Sequence, residues 1–157
     1  MQSPMSMPDP VASLVHDHLA INQLLMDLGK VMGAVRQGSP LAGGGAPALL
    51  HELRELLFLH FAREEEGLFP FVVEALPELS WQVQSMAAAH DGICGGLSRL
   101  IHMLATGVDT ATVLTVFERF ERAYGEHARA EAQLLQAVDR GASPAQREAL
   151  AELVRGL

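Results

Sequence analysis

The chain has 157 residues, long enough to bury a core within one domain, with a formal net charge of −8, hydrophobic residues at 49% and aromatics at only 5%. Lys30 is the sole lysine among eleven cationic residues and the arginines are scattered among acidic neighbours, so there is no basic stripe to hold nucleic acid or an anionic membrane surface. A single cysteine, Cys94, excludes an intrachain disulfide and a Cys-rich zinc site, and a core that Ala, Leu, Val and Met must fill points to closely packed helices, an all-α bundle.

Residues 1–8 read as a flexible leader, ahead of one expected domain over 9–157. The leader lacks the basic start and apolar run of a signal peptide, and no apolar stretch of about 18 residues follows, so a soluble, cytoplasmic protein is expected. Asp9 supplies an N-cap and Pro10 a first-turn residue for a helix running to about Arg36. Leu14, His18, Ile21, Leu25, Leu28 and Met32 recur along it at steps of three and four, which places His18 on the apolar face.

Residues 37–46, with Gly38, Pro40 and Gly43-Gly44-Gly45, are too glycine-rich for a helix. A second helix starts near Pro47 and turns Leu50, Leu53, Leu57, His60, Glu64 and Leu68 inward, until Pro70 kinks or ends it. Leu76-Pro77-Glu78 turns the chain into a third helix through Trp81, Met86, His90, Leu97 and Ile101, ending at Thr106-Gly107. Asp109 caps a fourth, whose inner stripe holds Val113, Val116, Phe120, Tyr124, His127, Glu131 and Leu135. After Gly141, Ser143-Pro144-Ala145-Gln146 has a capping-box pattern and predicts a short fifth helix over one end of the bundle, with Glu148 and Arg155 solvated.

The chemistry lies in a repeat on these stripes. His60 and Glu64 are four residues apart, and His127 and Glu131 repeat the His-x-x-x-Glu spacing. Residues four apart on a helix share a face, so each pair can offer an imidazole and a carboxylate to one metal. Each pair also follows a histidine in a matching setting, His18-Leu19-Ala20-Ile21 and His90-Asp91-Gly92-Ile93. The chain thus reads as two helical hairpins that together supply a two-metal site of His18, His60, Glu64, His90, His127 and Glu131.

A lone histidine on an apolar stripe is ordinarily a core residue with satisfied nitrogens. Four of them, one per helix, beside two inward glutamates are another matter, because unpaired buried charge costs several kcal/mol and a cation removes that cost. The remaining histidines serve as internal controls: His16 is turned about 200° from His18, His51 about 180° from His60 and His102 about 120° from His90, so all three are expected at the surface. Glu65 reads as a solvated rim residue, with an outer acceptor role as the alternative. Imidazole and carboxylate without thiolate, with two bridging carboxylates and room for six-coordination, favour two iron ions, with manganese next and tetrahedral zinc less suited.

These residues resemble the hemerythrin-like, HHE-type cation-binding domains, over a span from Val11 to Leu157. The resemblance is carried by Asp17-His18-Leu19-Ala20-Ile21, by His60-Phe61-x-x-Glu64-Glu65-x-x-Leu68-Phe69-Pro70, by Ala89-His90-x-x-Ile93 and by Glu126-His127-x-x-x-Glu131. It implies an up-down-up-down four-helix bundle around a non-haem di-iron centre bridged by an oxo or hydroxo group. Two positions depart from the oxygen carriers of that family: Cys94 stands where they have a further histidine, and His127-x-x-x-Glu131 replaces their His-x4-Asp. The set of four His and two Glu looks more like the di-iron proteins linked to nitrosative stress.

Two six-coordinate irons offer about twelve positions, of which these side chains and one bridging oxygen fill about ten, leaving about two open. That set suits binding or reaction with O2, peroxide or NO in an oxidative or nitrosative stress response, with an electron donor the sequence does not identify; a non-enzymatic iron store, donor or sensor is the alternative. Cys94 is either a small buried hydrophobe or a redox or ligand group, and Tyr124 either core or a hydrogen-bond donor near the metals. Gly92, Gly95 and Gly96 mark either close helix packing or a path for a small molecule.

Overall fold

A computed structural model describes residues 10–41 and 44–155, with side chains described at 14, 17–41 and 44–153. All regular structure among these residues is helical and none is strand. Helix α1 covers Pro10–Arg36, α2 Ala46–Arg63, α3 Phe69–Ala75, α4 Ser80–Thr106, α5 Thr110–Gly141 and α6 Pro144–Arg155. A π turn, Glu64–Leu68, joins α2 to α3, and a 3-10 turn, Pro77–Leu79, leads into α4. The expected leader, the Asp9 cap and the side chains of His16 and Arg155 lie outside the described residues.

Local chemistry sets the helix ends. Gly45, at φ 76°, precedes α2 in a left-handed conformation that a side chain would oppose, and Pro47 follows in the first turn. Gly107, at φ 71°, closes α4, and its N–H returns to the Met103 carbonyl. The Thr112 N–H donates to Asp109 at 3.0 Å, capping α5. At α6 the capping box is complete: the Gln146 N–H donates to Ser143 Oγ at 3.2 Å and the Ser143 N–H to Gln146 Oε1 at 2.9 Å.

The chain does not leave the helix at Pro70 but continues to Ala75. Proline has no N–H, and its ring crowds the carbonyl four residues back. The turn before it widens, so that the Phe69 N–H donates to the Glu64 carbonyl five residues back, and helical backbone resumes beyond.

Helix α1 packs on α2 and α5, α2 on α4, and α4 on α5, while α6 lies against the π turn and α1. The buried apolar side chains form two clusters. One runs from Ile21, Leu28 and Leu57 to Leu97, Phe117 and Tyr124. The other gathers Leu14, Leu68, Val72, Met86, Leu135 and Leu150. On every long helix the gap between the clusters is where the predicted ligands fall: His18 between Leu14 and Ile21, His60 and Glu64 between Leu57 and Leu68, His90 between Met86 and Ile93, and His127 and Glu131 between Tyr124 and Leu134. A polar layer thus separates two apolar ones.

Trp81 is 75% exposed and Ile101 only half-buried. Trp81 lies two residues before buried Val83, about 200° around the helix, so the inner stripe begins at Val83. Among the described residues no helix is long and apolar enough to cross a membrane.

Candidate metal centre

Five of the six predicted ligands are at most 4% exposed, namely His60, Glu64, His90, His127 and Glu131. His18, at the edge of the layer, has a side chain 16% exposed. Regular helix places His60, His90, His127 and Glu131, whereas Glu64 opens the π turn. That wider turn rotates successive residues less, which keeps Glu65 on the α4 side as well.

The donors gather into two groups, His18 with His60 and Glu131, and Glu64 with His90 and His127; within each group the candidate donor atoms lie within 4.8 Å of one another. The grouping differs from the one the spacing predicts. Each His-x-x-x-Glu pair divides between the groups, because the carboxylate one turn along reaches across to the neighbouring helix. Glu131 stands between the groups: its Oε1 is 2.9 Å from both His18 Nε2 and His60 Nε2, and its Oε2 is 3.6 Å from His127 Nε2. Glu64 Oε1 is 3.3 Å from His60 Nε2 and from His90 Nε2.

In the first group the two imidazole Nε2 atoms approach to 3.0 Å over the Glu131 oxygen. Donors about 2.1 Å from a six-coordinate cation stand about 3.0 Å apart when cis, so these three separations match an octahedral face. The second group is marked by unsatisfied atoms. Among the described residues, the buried side-chain polar atoms with no hydrogen-bond partner are Glu64 Oε1 and Oε2, His90 Nε2, and His127 Nδ1 and Nε2, all from this one group. Buried polar atoms left unpaired cost about 1–3 kcal/mol each, and a cation that accepts their lone pairs removes most of that cost. The residues present therefore fit a pair of metal ions.

Electrostatics agree. Burial raises the Glu64 carboxyl well above its ordinary range, with the Glu131 charge adding to it. Burial would raise Glu131 too, but its contacts with the His18 and His60 imidazoles hold it well below that range. Burial also opposes protonation of His60, yet its bonds to Asp17 and Glu131 lift it to about 9. His127 is pushed down to about 4 by burial, only partly offset by Glu131. Without a cation, the layer holds one acid that resists ionising beside an imidazole that resists losing its proton.

Two residues outside the predicted set hold ligand rings. Asp17 Oδ2 is 3.2 Å from His60 Nδ1, and Arg63 Nη1 donates to both Asp17 oxygens at 2.9 and 2.8 Å. Burial disfavours the Asp17 anion, but the bonds from His60 and Arg63 win and lower its pKa. In the sequence Asp17 lies within the Asp17-His18 motif without an evident role, and its one signal there is a carboxylate beside a ligand histidine. Glu65, expected at the solvated rim, keeps a half-exposed side chain yet accepts from His90 Nδ1 at 2.9 Å, so the acceptor alternative is the one the geometry supports. Phe61 stacks on His90 at 3.8 Å between ring centroids and 12° between planes, and Phe69 lies over the same ring at 5.5 Å.

Among the controls, His51 and His102 are exposed, and His51 Nδ1 pairs with Arg54 at 3.2 Å. Cys94 packs half-buried against the larger apolar cluster and lies in neither donor group, with its thiol pKa raised by burial. Tyr124 is buried in the same cluster, and burial raises its phenol pKa as well.

Comparison with known proteins gives one result: the family model described as the Hemerythrin HHE cation binding domain matches residues 9–138. No curated protein and no solved structure matches.

Proposed function

Because the chain belongs to the hemerythrin HHE cation-binding family, we propose that it is a non-haem di-iron protein that binds or reacts with a small ligand such as O2, peroxide or NO. In this reading residues 9–157 form one domain, an up-down-up-down four-helix bundle closed at one end by α6. His18 and His60 would hold one iron and His90 and His127 the other, with Glu64 and Glu131 as the carboxylates shared between them. Manganese is the next candidate and zinc the last.

The observation that carries the reading is the set of unpaired buried atoms on Glu64, His90 and His127, beside the tight triangle of His18, His60 and Glu131. Two bound iron ions would supply one-electron redox chemistry and open coordination positions. The protein does the rest. Asp17 and Glu65 accept the Nδ1 protons of His60 and His90, fixing each ring with Nε2 inward. Arg63 keeps Asp17 ionised, and so a firm acceptor. Phe61 and Phe69 cover the faces of His90 and exclude water from that side.

Anaerobic purification, metal analysis and optical spectra test this directly. Two irons per chain, with a spectrum that changes when the reduced protein meets O2 or NO, is the expected result. A single redox-inert zinc, with Glu64 and Glu131 variants of full metal content, would sink the reading.

A further inference from the structure

Between α4 and α5 lies a surface groove of about 350 Å³. Ala89 and Gly92 form one wall and Ala123 and Ala130 the other, so no side chain longer than a methyl group fills the space at those positions. Its floor is made by Met86, Ile93 and His127, which are 2%, 2% and 4% exposed. The His127 ring belongs to the Glu64–His90–His127 donor group and lines the groove, and neither of its nitrogens has a hydrogen-bond partner. A Cβ added at Gly92 would meet no atom within 4 Å, so helix packing does not require glycine there. An unneeded glycine costs a helix about 0.5–1 kcal/mol relative to alanine, and the open groove is what its absence of side chain preserves.

We propose that this groove is the route by which a small uncharged molecule reaches the His127 side of the metal centre. The proposal rests on the di-iron reading for its destination, though not for the groove itself. Lack of charge follows from the lining: Glu126 at the rim is exposed and acidic, and the chain as a whole is strongly negative, so an anion approaches against the field while a neutral diatomic does not. Apolar walls and a Met-Ile floor suit the same class of ligand.

A Cβ at Gly92 has open space around it, so Gly92→Leu is the variant to fill the groove, and Ala123→Leu fills it from the opposite wall, should the first variant fold poorly. NO is the probe, mixed by stopped flow with the reduced, iron-loaded protein. A plugged route raises the barrier for entry and exit alike, so both rates should fall by one common factor, about tenfold or more, with Kd and iron content unchanged. Unchanged association rates in both variants would overturn the proposal. So would a change in Kd with the association rate intact, which would make these residues part of the binding pocket rather than its entrance. A second measurement separates this failure from failure of the di-iron reading. In the diamagnetic zinc-loaded protein, dissolved O2 should enhance methyl relaxation at Met86 and Ile93, and the two leucine variants should abolish the effect. No enhancement in the unsubstituted protein would refute the groove even if NO bound; enhancement without any NO binding would keep the groove and refute the destination.

Discussion

Glu64→Gln should act with opposite signs on the metal-free and metal-loaded protein. Glu64 is fully buried, both its oxygens lack hydrogen-bond partners, and burial together with the Glu131 charge raises its pKa. A carboxyl whose folded pKa exceeds its unfolded value contributes most to stability below the unfolded pKa and loses that contribution as pH rises through the folded one. Metal-free protein should therefore lose stability from this residue as pH rises from about 4.5 upward. Glutamine is nearly isosteric and cannot ionise. At pH 8 the metal-free variant should gain about 1–3 kcal/mol over the metal-free parent, the usual cost of an unsatisfied buried group, and the gain should fade by pH 5. For a chain of this length that is about 2–12 °C in Tm. With metal present the sign reverses: a bridge is lost, metal content falls to one ion per chain or fewer, and stability drops by about 3–5 kcal/mol, as when one partner of a buried charged pair is removed. Thermal unfolding of both forms at pH 5 and 8, with metal analysis, reads all four quantities. Equal destabilisation of both forms at both pH values would refute the reasoning, because Glu64 would then be a packing residue.

Alanine at His60 or Glu131 should remove at least one metal ion per chain, as measured by elemental analysis. His51→Gln and His102→Gln should leave metal content unchanged, since both side chains face solvent. Asp17→Asn should weaken metal binding about 10- to 100-fold in chelator competition while leaving the stoichiometry intact, because it loosens the hold on His60 Nδ1. Metal binding should release protons at pH 7, since His60 in the metal-free state titrates at about 9 and must be neutral to coordinate. Affinity should accordingly rise with pH until about 9 and then level off, and calorimetry in buffers of different ionisation enthalpy counts the protons.

What the sequence disclosed was the periodic part. Ligand histidines and glutamates sit at helical steps from Leu14, Leu57, Met86 and Tyr124, and a stripe of that kind is visible without knowing which helices touch. Grouping across the His-x-x-x-Glu pairs was hidden because it depends on α2 facing α4 and α1 facing α5, and on how far each carboxylate reaches. Asp17 carries no role in the sequence, and Glu65 reads there first as a solvated rim residue, for a related reason. Each sits one position off the ligand stripe, where a helical wheel assigns it to the rim, and only the neighbouring helix shows that the rim position meets an imidazole. The widened turn at Glu64–Leu68 had a partial signal in Pro70, but a proline announces that the hydrogen-bond ladder is broken without saying how it is repaired.

The division of the interior into two apolar clusters bears on how the molecule comes apart. A continuous core links its ends through packed side chains, so that opening one end costs contacts at the other. Here the link between the Leu14–Leu150 cluster and the Ile21–Tyr124 cluster passes through six ionisable groups, and its strength is set by what they bind. Loaded with cations, the layer acts as a rivet, and amide exchange in α3 and α6 should run close to the global unfolding rate. Stripped of them, the same layer becomes a seam, and the end built from α3, α6 and the last turns of α5 should exchange its amides as a separate cooperative unit, well before α2 and the second half of α4 give way.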